Sequence, residues 1–90
     1  MIIINPIINE LFNDSYKVLK ILYDNQVTIN NETYCPLSQE AISKELGVTR
    51  VTIGNIMKRL KDKNLIIVEG SRKYILTNEV IKTIKKIQKI

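Results

Sequence analysis

The chain has 90 residues, 44% of them hydrophobic, with a formal net charge of +5, one cysteine and no histidine. This length predicts one domain, residues 1–90, and the hydrophobic content excludes a wholly disordered chain. A single cysteine excludes an internal disulfide, and without histidine the usual zinc sites and catalytic triads lack their ligands or general base. We therefore expect a protein that is not an enzyme and has no cofactor or metal site.

The first segment, Met1 to Ile8, is almost wholly apolar. It is shorter than the ~18 residues that span a bilayer, and it lacks the basic leader and cleavage site of a signal peptide. We therefore expect a cytoplasmic protein that does not bind membranes. Asn5 and Pro6 are typical of a helix start, and apolar residues recur at helical spacing up to Leu22.

The segment from Gln26 to Pro36 is polar with β-branched residues, which favours a loop with a small hairpin turning at Asn30 and Asn31. Tyr34 and Cys35 are expected to form a short strand. Because a catalytic cysteine would lack its usual histidine partner, we expect Cys35 to be a buried or half-buried small hydrophobic residue.

A helix, a tight turn and a second helix are predicted over residues 38–63. Ser38 is a suitable N-cap for a helix that ends at Leu46, and Gly47 suits the left-handed position that follows a helix. Thr49 can then cap the second helix. This arrangement is typical of the helix-turn-helix motif.

A β-hairpin and a last helix are predicted after the motif. Residues 65–76 have the pattern of two strands around a turn at Gly70 to Arg72, which predicts a wing. Thr77 can cap a helix over residues 78–90. The predicted fold is therefore mostly α with a small β-hairpin wing, an α+β winged helix-turn-helix.

The second helix of the motif has two unlike faces, because Ile53, Ile56, Met57 and Leu60 recur at the helical period of about 3.6 residues. The opposite face carries side chains that suit DNA. Arg50 can donate two hydrogen bonds to guanine, Asn55 can pair with adenine, and Val51 can contact a thymine methyl group. Lys58 and Arg59 are better placed for phosphates.

Simpler explanations exist for each of these residues. An exposed face with Arg, Lys and Asn is usually just solvated, and Val51 can pack against the preceding helix. Gly54 costs about 1 kcal/mol of helix stability relative to alanine. This cost favours a close approach to Gly54 by the DNA backbone or by the preceding helix. The alternative is that Gly54 is a tolerated substitution with no role. The combination of residues favours DNA binding.

Further phosphate contacts are expected at a helix N-terminus and at the wing. Ser38 and Gln39 begin the first helix of the motif, where backbone N–H groups favour anions. Arg72 and Lys73 at the wing tip can reach the flanking backbone or minor groove, or can simply protect a sheet edge. The expected DNA contacts are Ser38, Gln39, Thr49, Arg50, Val51, Thr52, Asn55, Lys58, Arg59, Arg72 and Lys73.

The excess of positive over negative charge is confined to the second half of the chain. Residues 1–48 carry three lysines and six acids, residues 49–73 seven basic residues and two acids, and residues 74–90 four lysines and one acid. A lysine-rich composition from an AT-rich genome would explain the total but not this asymmetry. The distribution is typical of a protein that faces a polyanion.

Residues 37–60, continuing through residues 62–66, resemble bacterial winged helix-turn-helix domains, above all the DNA-binding domain of the cyclic-AMP-receptor (CRP/FNR) family. The resemblance implies that Arg50 reads a base and that Thr52 and Lys58 touch phosphate. The family commonly has Glu where this chain has Val51, and Arg where it has Asn55. These departures imply a different target, richer in A·T pairs. The family's nucleotide-binding domain has no counterpart, so no effector ligand is implied.

Two roles that involve DNA binding fit the sequence, and a third role involves protein binding alone. The leading hypothesis is a dimeric transcriptional repressor that binds double-stranded DNA sequence-specifically. A close alternative, similar to TubR, is a centromere-binding adaptor of a plasmid or phage segregation system, whose partner would be a filament-forming GTPase. The third is a winged helix that binds proteins instead of DNA, against which the basic face argues.

Surplus apolar residues at the two ends of the chain predict a homodimer. The expected monomer core includes Val18, Leu22, Ile42, Leu46, Ile53, Leu60, Leu65, Ile67 and, near the start, Leu11. Apolar side chains without a place in such a core usually mark an interface. The expected interface residues are Ile3, Ile4, Ile7, Ile81, Ile84 and Ile87. The alternative is that the last helix folds back on the first and completes the monomer core.

Overall fold

A computed structural model describes residues 14–88. The four helices of this part are α1 (Asp14–Asp24), α2 (Gln39–Leu46), α3 (Arg50–Asp62) and α4 (Asn78–Gln88). The four short strands are β1 (Val27–Ile29), β2 (Glu32–Tyr34), β3 (Ile66–Val68) and β4 (Tyr74–Leu76). Helices with small antiparallel hairpins confirm the predicted α+β class. The predictions for Asn5, Pro6, Leu11, Ile3, Ile4 and Ile7 lie outside the described residues.

The helix-turn-helix is capped as its sequence predicts. The Ser38 hydroxyl accepts a hydrogen bond from the Ala41 N–H at 3.1 Å, and the Thr49 hydroxyl accepts one from the Thr52 N–H at 3.1 Å. Gly47 ends α2 in the left-handed region, with φ 76°. Glycine adopts this backbone without the steric penalty of a Cβ, so the connection between α2 and α3 is short.

The core lies where α3 meets the other helices. The predicted inward face of α3 is confirmed, because its four apolar side chains are almost completely buried. They pack with Val18 and Leu22 of α1 and with Ile42 of α2. At roughly 25 cal/mol per Å² of apolar surface removed from water, this burial fixes which side of α3 faces solvent.

The first hairpin turns where the sequence predicts. Asn30 and Asn31 both have positive φ, 53° and 66°, and two such residues in succession are typical of the tight turns that join antiparallel strands. Cys35 lies just beyond β2 and exchanges two backbone hydrogen bonds with Tyr74, at 2.8 and 3.1 Å. This bridge joins the first hairpin to the second.

The second hairpin, the wing, corrects one core prediction. Ile67 was expected in the core, but its side chain is 48% exposed, whereas Ile66 is 2% exposed. Successive side chains of a strand point to opposite faces, and in β3 the face that meets the core carries Ile66 and Val68. Asn64, with φ 60°, adopts the left-handed region just beyond α3 and before β3.

Helix α4 corrects the prediction that Ile84 lies outside the monomer core, at a dimer interface. Ile84 is 1% exposed and Val80 is 5% exposed, so both belong to the monomer core. Ile81 and Ile87 are half-buried. Thr77 immediately precedes the helix, and its hydroxyl donates a hydrogen bond to the Leu65 carbonyl at 3.2 Å instead of capping α4. Within residues 14–88, no helix is long and apolar enough to cross a membrane.

The exposure of β3 predicts unequal costs for two neighbouring substitutions. Ile66→Ala should lower the free energy of unfolding by about 2–5 kcal/mol, the usual loss when a buried isoleucine is truncated. Ile67→Ala, the matched control, should cost about 0.5–1 kcal/mol or less because its side chain is half in water. Urea unfolding measures both. Equal losses, or the reverse order, would contradict the register of the strand.

Candidate nucleic-acid interface

The outer face of α3 presents the predicted DNA-reading side chains to solvent. Arg50, Asn55 and Lys58 are exposed, and Val51 is 74% exposed. Val51 therefore does not pack against α2, which was the alternative explanation for it. An isolated valine on a cationic helix face gains nothing from water, whereas the methyl group of thymine would cover it.

Two exposed cations of this face form no ion pair within the part of the chain that the structure describes. Arg50 and Lys58 form no ion pair with the acids of residues 14–88. An ammonium or guanidinium group that is not neutralised within the protein keeps its full charge for a phosphate or a base. The outer face of α3 is therefore chemically suited to a polyanion.

Hydroxyl groups at the start of α3 serve the helix itself. Thr49 and Thr52 place their hydroxyl oxygens 2.9 Å apart, in addition to the cap that Thr49 provides to the Thr52 N–H. Ser38 is similarly occupied in capping α2. A hydroxyl can both donate and accept, so this capping leaves each group able to make a further hydrogen bond.

Gly54 lies beside the Gln39 side chain. A Cβ added at Gly54 would lie 3.6 Å from Gln39 Oε1, which is an ordinary van der Waals distance. The packing of α2 on α3 therefore does not require glycine here. Of the two close approaches considered from the sequence, the one by the preceding helix is not the reason for Gly54.

Arg59 turns away from the face that carries Arg50 and Asn55. Its Nη2 donates a hydrogen bond to the Ser15 hydroxyl at 3.1 Å. The two residues line a groove between α1, α3 and α4. Ser15 and Arg59 are 44 positions apart in the chain, so no local pattern could have predicted the contact.

The wing presents Arg72 to solvent, whereas the half-exposed Lys73 is paired with acidic side chains of the protein itself. The Lys73 ammonium forms ion pairs with Glu32 and, at 3.4 Å, with Glu69, and it lies 5.1 Å from the centre of the Tyr34 ring. The hydrogen bond to Glu32 is the main cause that raises the pKa of Lys73, against a smaller opposing effect of burial. Two carboxylates already compete with phosphate for this charge.

The first hairpin was not assigned any part in the site, yet Glu32 and Tyr34 position Lys73. The pairing of Glu69 with Lys73 has a sequence signal, since opposite charges flank the predicted turn. The pairing of Glu32 with Lys73, which joins the two hairpins, has no such sequence signal.

Cys35, predicted to be buried or half-buried, is completely buried. Burial raises the pKa of its thiol, and a backbone hydrogen bond involving Leu37 lowers it by a smaller amount.

The model of the family described as the Crp-like helix-turn-helix domain matches residues 17–80. The matched range contains both helices of the motif and the wing, and most of α1. No curated protein matches the chain. A solvent-facing α3 with unpaired cations is the arrangement expected of a DNA-binding regulator, and the match extends over well more than half of the sequence. The chain therefore belongs to the Crp-like helix-turn-helix domain family of DNA-binding domains.

Proposed function

We propose that the protein binds double-stranded DNA sequence-specifically and represses transcription, with α3 in the major groove and the wing on the flanking backbone. The observation that carries this proposal is the outer face of α3, where Arg50, Val51, Asn55 and Lys58 are all exposed, opposite an almost completely buried inner face. A helix held in this way can enter a major groove without losing any contact of the core.

Base recognition is assigned to three residues of this face. Arg50 donates two hydrogen bonds to a guanine edge, Asn55 pairs with an adenine edge, and Val51 contacts a thymine methyl group. Val51 and Asn55 both favour A·T pairs. We therefore expect a half-site with one G·C pair among A·T pairs.

Backbone contacts are assigned to groups around the reading face. Lys58 lies about one helical turn beyond Asn55, and Arg72 lies at the wing tip. One of the Thr49 and Thr52 hydroxyls donates to the other, so only one of the two keeps a proton for a phosphate. Ser38 and Gln39, at the start of α2, can donate further hydrogen bonds to phosphates. Lys73 and Arg59 are the least available of the expected contacts, since each has a partner within the protein.

The repressor is proposed to act in the cytoplasm as a homodimer, because a two-fold dimer presents two recognition helices to successive half-sites. The half-buried Ile81 and Ile87, with Ile3, Ile4 and Ile7, are the interface residues that this proposal retains. Ile84 is no longer included, because the monomer core covers it.

A DNase footprint distinguishes a repressor from a segregation adaptor that works with a filament-forming GTPase. Protection of one short operator supports repression, and protection of a long array of sites contradicts it.

Substitutions on α3 should separate base reading from phosphate binding. We expect Arg50→Ala to cost about 1–3 kcal/mol at the matched G·C pair and to relax preference there. Lys58→Ala should weaken all sequences about equally. Binding to a randomised operator library, followed by sequencing, measures both. If Arg50→Ala leaves base preference intact while Lys58→Ala changes it, the reading face has been assigned wrongly.

Salt dependence should report the phosphate contacts directly. The logarithm of the binding constant should fall with the logarithm of salt concentration by about 0.9 for each phosphate neutralised. Lys58→Ala and Arg72→Ala should each reduce this slope by about one contact. Lys82→Ala, an exposed lysine on α4 outside α3 and the wing, is the matched control and should leave it unchanged. Affinity that does not vary with salt in the wild-type protein would refute the electrostatic part of the proposal.

A further inference from the structure

Two carboxylates and an aromatic ring surround the Lys73 ammonium. Glu32 and Glu69 form ion pairs with it, and the centre of the Tyr34 ring lies 5.1 Å away. Glu32 and Tyr34 are the two ends of β2 in the first hairpin, whereas Glu69 and Lys73 flank the turn of the wing. The Glu69 N–H also donates to the Lys73 carbonyl at 2.9 Å. Groups from both hairpins therefore converge on one cation.

The strand register explains why these groups meet. Cys35 and Tyr74 pair directly, and both side chains are buried. Because successive side chains of a strand point to opposite faces, Tyr34 and Lys73 both lie on the outer face of the hairpins. Glu32 comes two residues before Tyr34 and shares that face. The backbone pairing of the two hairpins thus places Glu32 beside Lys73.

The charges of this cluster do not favour a phosphate. Two carboxylates and one ammonium leave a net charge of −1. If Lys73 moved to a phosphate, Glu32 and Glu69 would lose their counter-charge close to the same phosphate, and like charges repel. Arg72, the next cation along the wing turn, forms no ion pair within the part of the chain that the structure describes.

The cluster lies at the surface, where DNA can meet it. The Lys73 side chain is 31% exposed, and those of Glu32 and Glu69 are 46% and 48% exposed. Of the two carboxylates, Glu32 has the stronger effect, because its hydrogen bond is the main cause that raises the pKa of Lys73. The residue that most restrains this wing lysine therefore lies outside the wing.

We propose, on the basis of the proposed DNA binding, that Glu32 and Glu69 keep Lys73 out of phosphate contact, so that Arg72 is the cation through which the wing neutralises a phosphate. Glu32 is then a positioning residue for DNA binding, although it belongs to the first hairpin. Phosphate contacts carry no sequence information. The two carboxylates therefore set the overall affinity and its salt dependence, and they leave base preference unchanged.

Salt titrations with a fluorescein-labelled duplex of mixed sequence test the proposal by fluorescence anisotropy. Glu32→Gln combined with Glu69→Gln should release Lys73 and steepen the log–log slope by about 0.9, the contribution of one phosphate. The affinity advantage of this double variant over wild type should then grow by about 8-fold for each tenfold decrease in salt concentration. Lys73→Ala alone should leave the wild-type slope unchanged, and added to the double variant it should remove the gain.

The matched control combines Asp24→Asn with Glu79→Gln, which removes two exposed carboxylates from α1 and α4. Asp24 is paired with Lys20, so the control also releases a lysine outside α3 and the wing, and its slope should equal that of wild type. The single variants Glu32→Gln and Glu69→Gln guard against a poorly folded double variant, and all proteins are compared by circular dichroism. Each single variant should steepen the slope by less than the pair does, and Glu32→Gln should have the larger effect.

The outcomes separate the mechanism from its alternatives. A steeper slope that requires Lys73 supports the proposal. A wild-type slope that Lys73→Ala reduces would overturn it, because Lys73 would then already touch a phosphate. Steepening in the control, a gain that survives Lys73→Ala, or unchanged slopes in folded variants would overturn it as well. Each of these results leaves the proposed function intact, whereas a wild-type protein that binds no DNA refutes the proposed function and this inference together.

Discussion

The burial of one face of α3 is the constraint on which the rest of the molecule depends. Ile53, Ile56, Met57 and Leu60 pack into the common core, and this packing fixes the rotation of the helix about its axis. Every outward residue is positioned by that rotation. The helix needs this support, because its first turns contain β-branched residues and Gly54, which are poor helix formers. Tertiary packing and the Thr49 cap hold a segment that would be a weak helix alone.

The two hairpins extend this support to the wing. The Cys35 and Tyr74 backbones pair directly, and the Tyr74 hydroxyl donates to the Ser71 carbonyl at 3.1 Å while its ring is buried. One side chain thus connects the core to the turn of the wing. Lys73, Glu32 and Tyr34 add a second connection on the outer side of the hairpins.

Local signals account for what could be predicted from the sequence. Caps at Ser38 and Thr49, the left-handed Gly47, and the helical spacing of the α3 core each depend on a few neighbouring residues. Ile67 was placed wrongly because either face of a short, wholly apolar strand can be the buried one. The contacts of Arg59 with Ser15 and of Lys73 with Glu32 depend on how distant segments meet, which no window of sequence contains. The burial of Ile84 has the same origin, since α1 and α4 lie at opposite ends of the chain.

The attachment of the wing has a consequence for the thermodynamics of recognition. A loop that becomes ordered only when it reaches its target pays for that ordering out of the binding energy. Here Tyr74 and Lys73 already hold the turn of the wing in the free protein. The turn therefore loses its conformational entropy when the protein folds, and not when the protein binds DNA. Differences in affinity between one DNA sequence and another then arise from base contacts and from the stiffness of the duplex itself, because the protein surface is preorganised before the encounter.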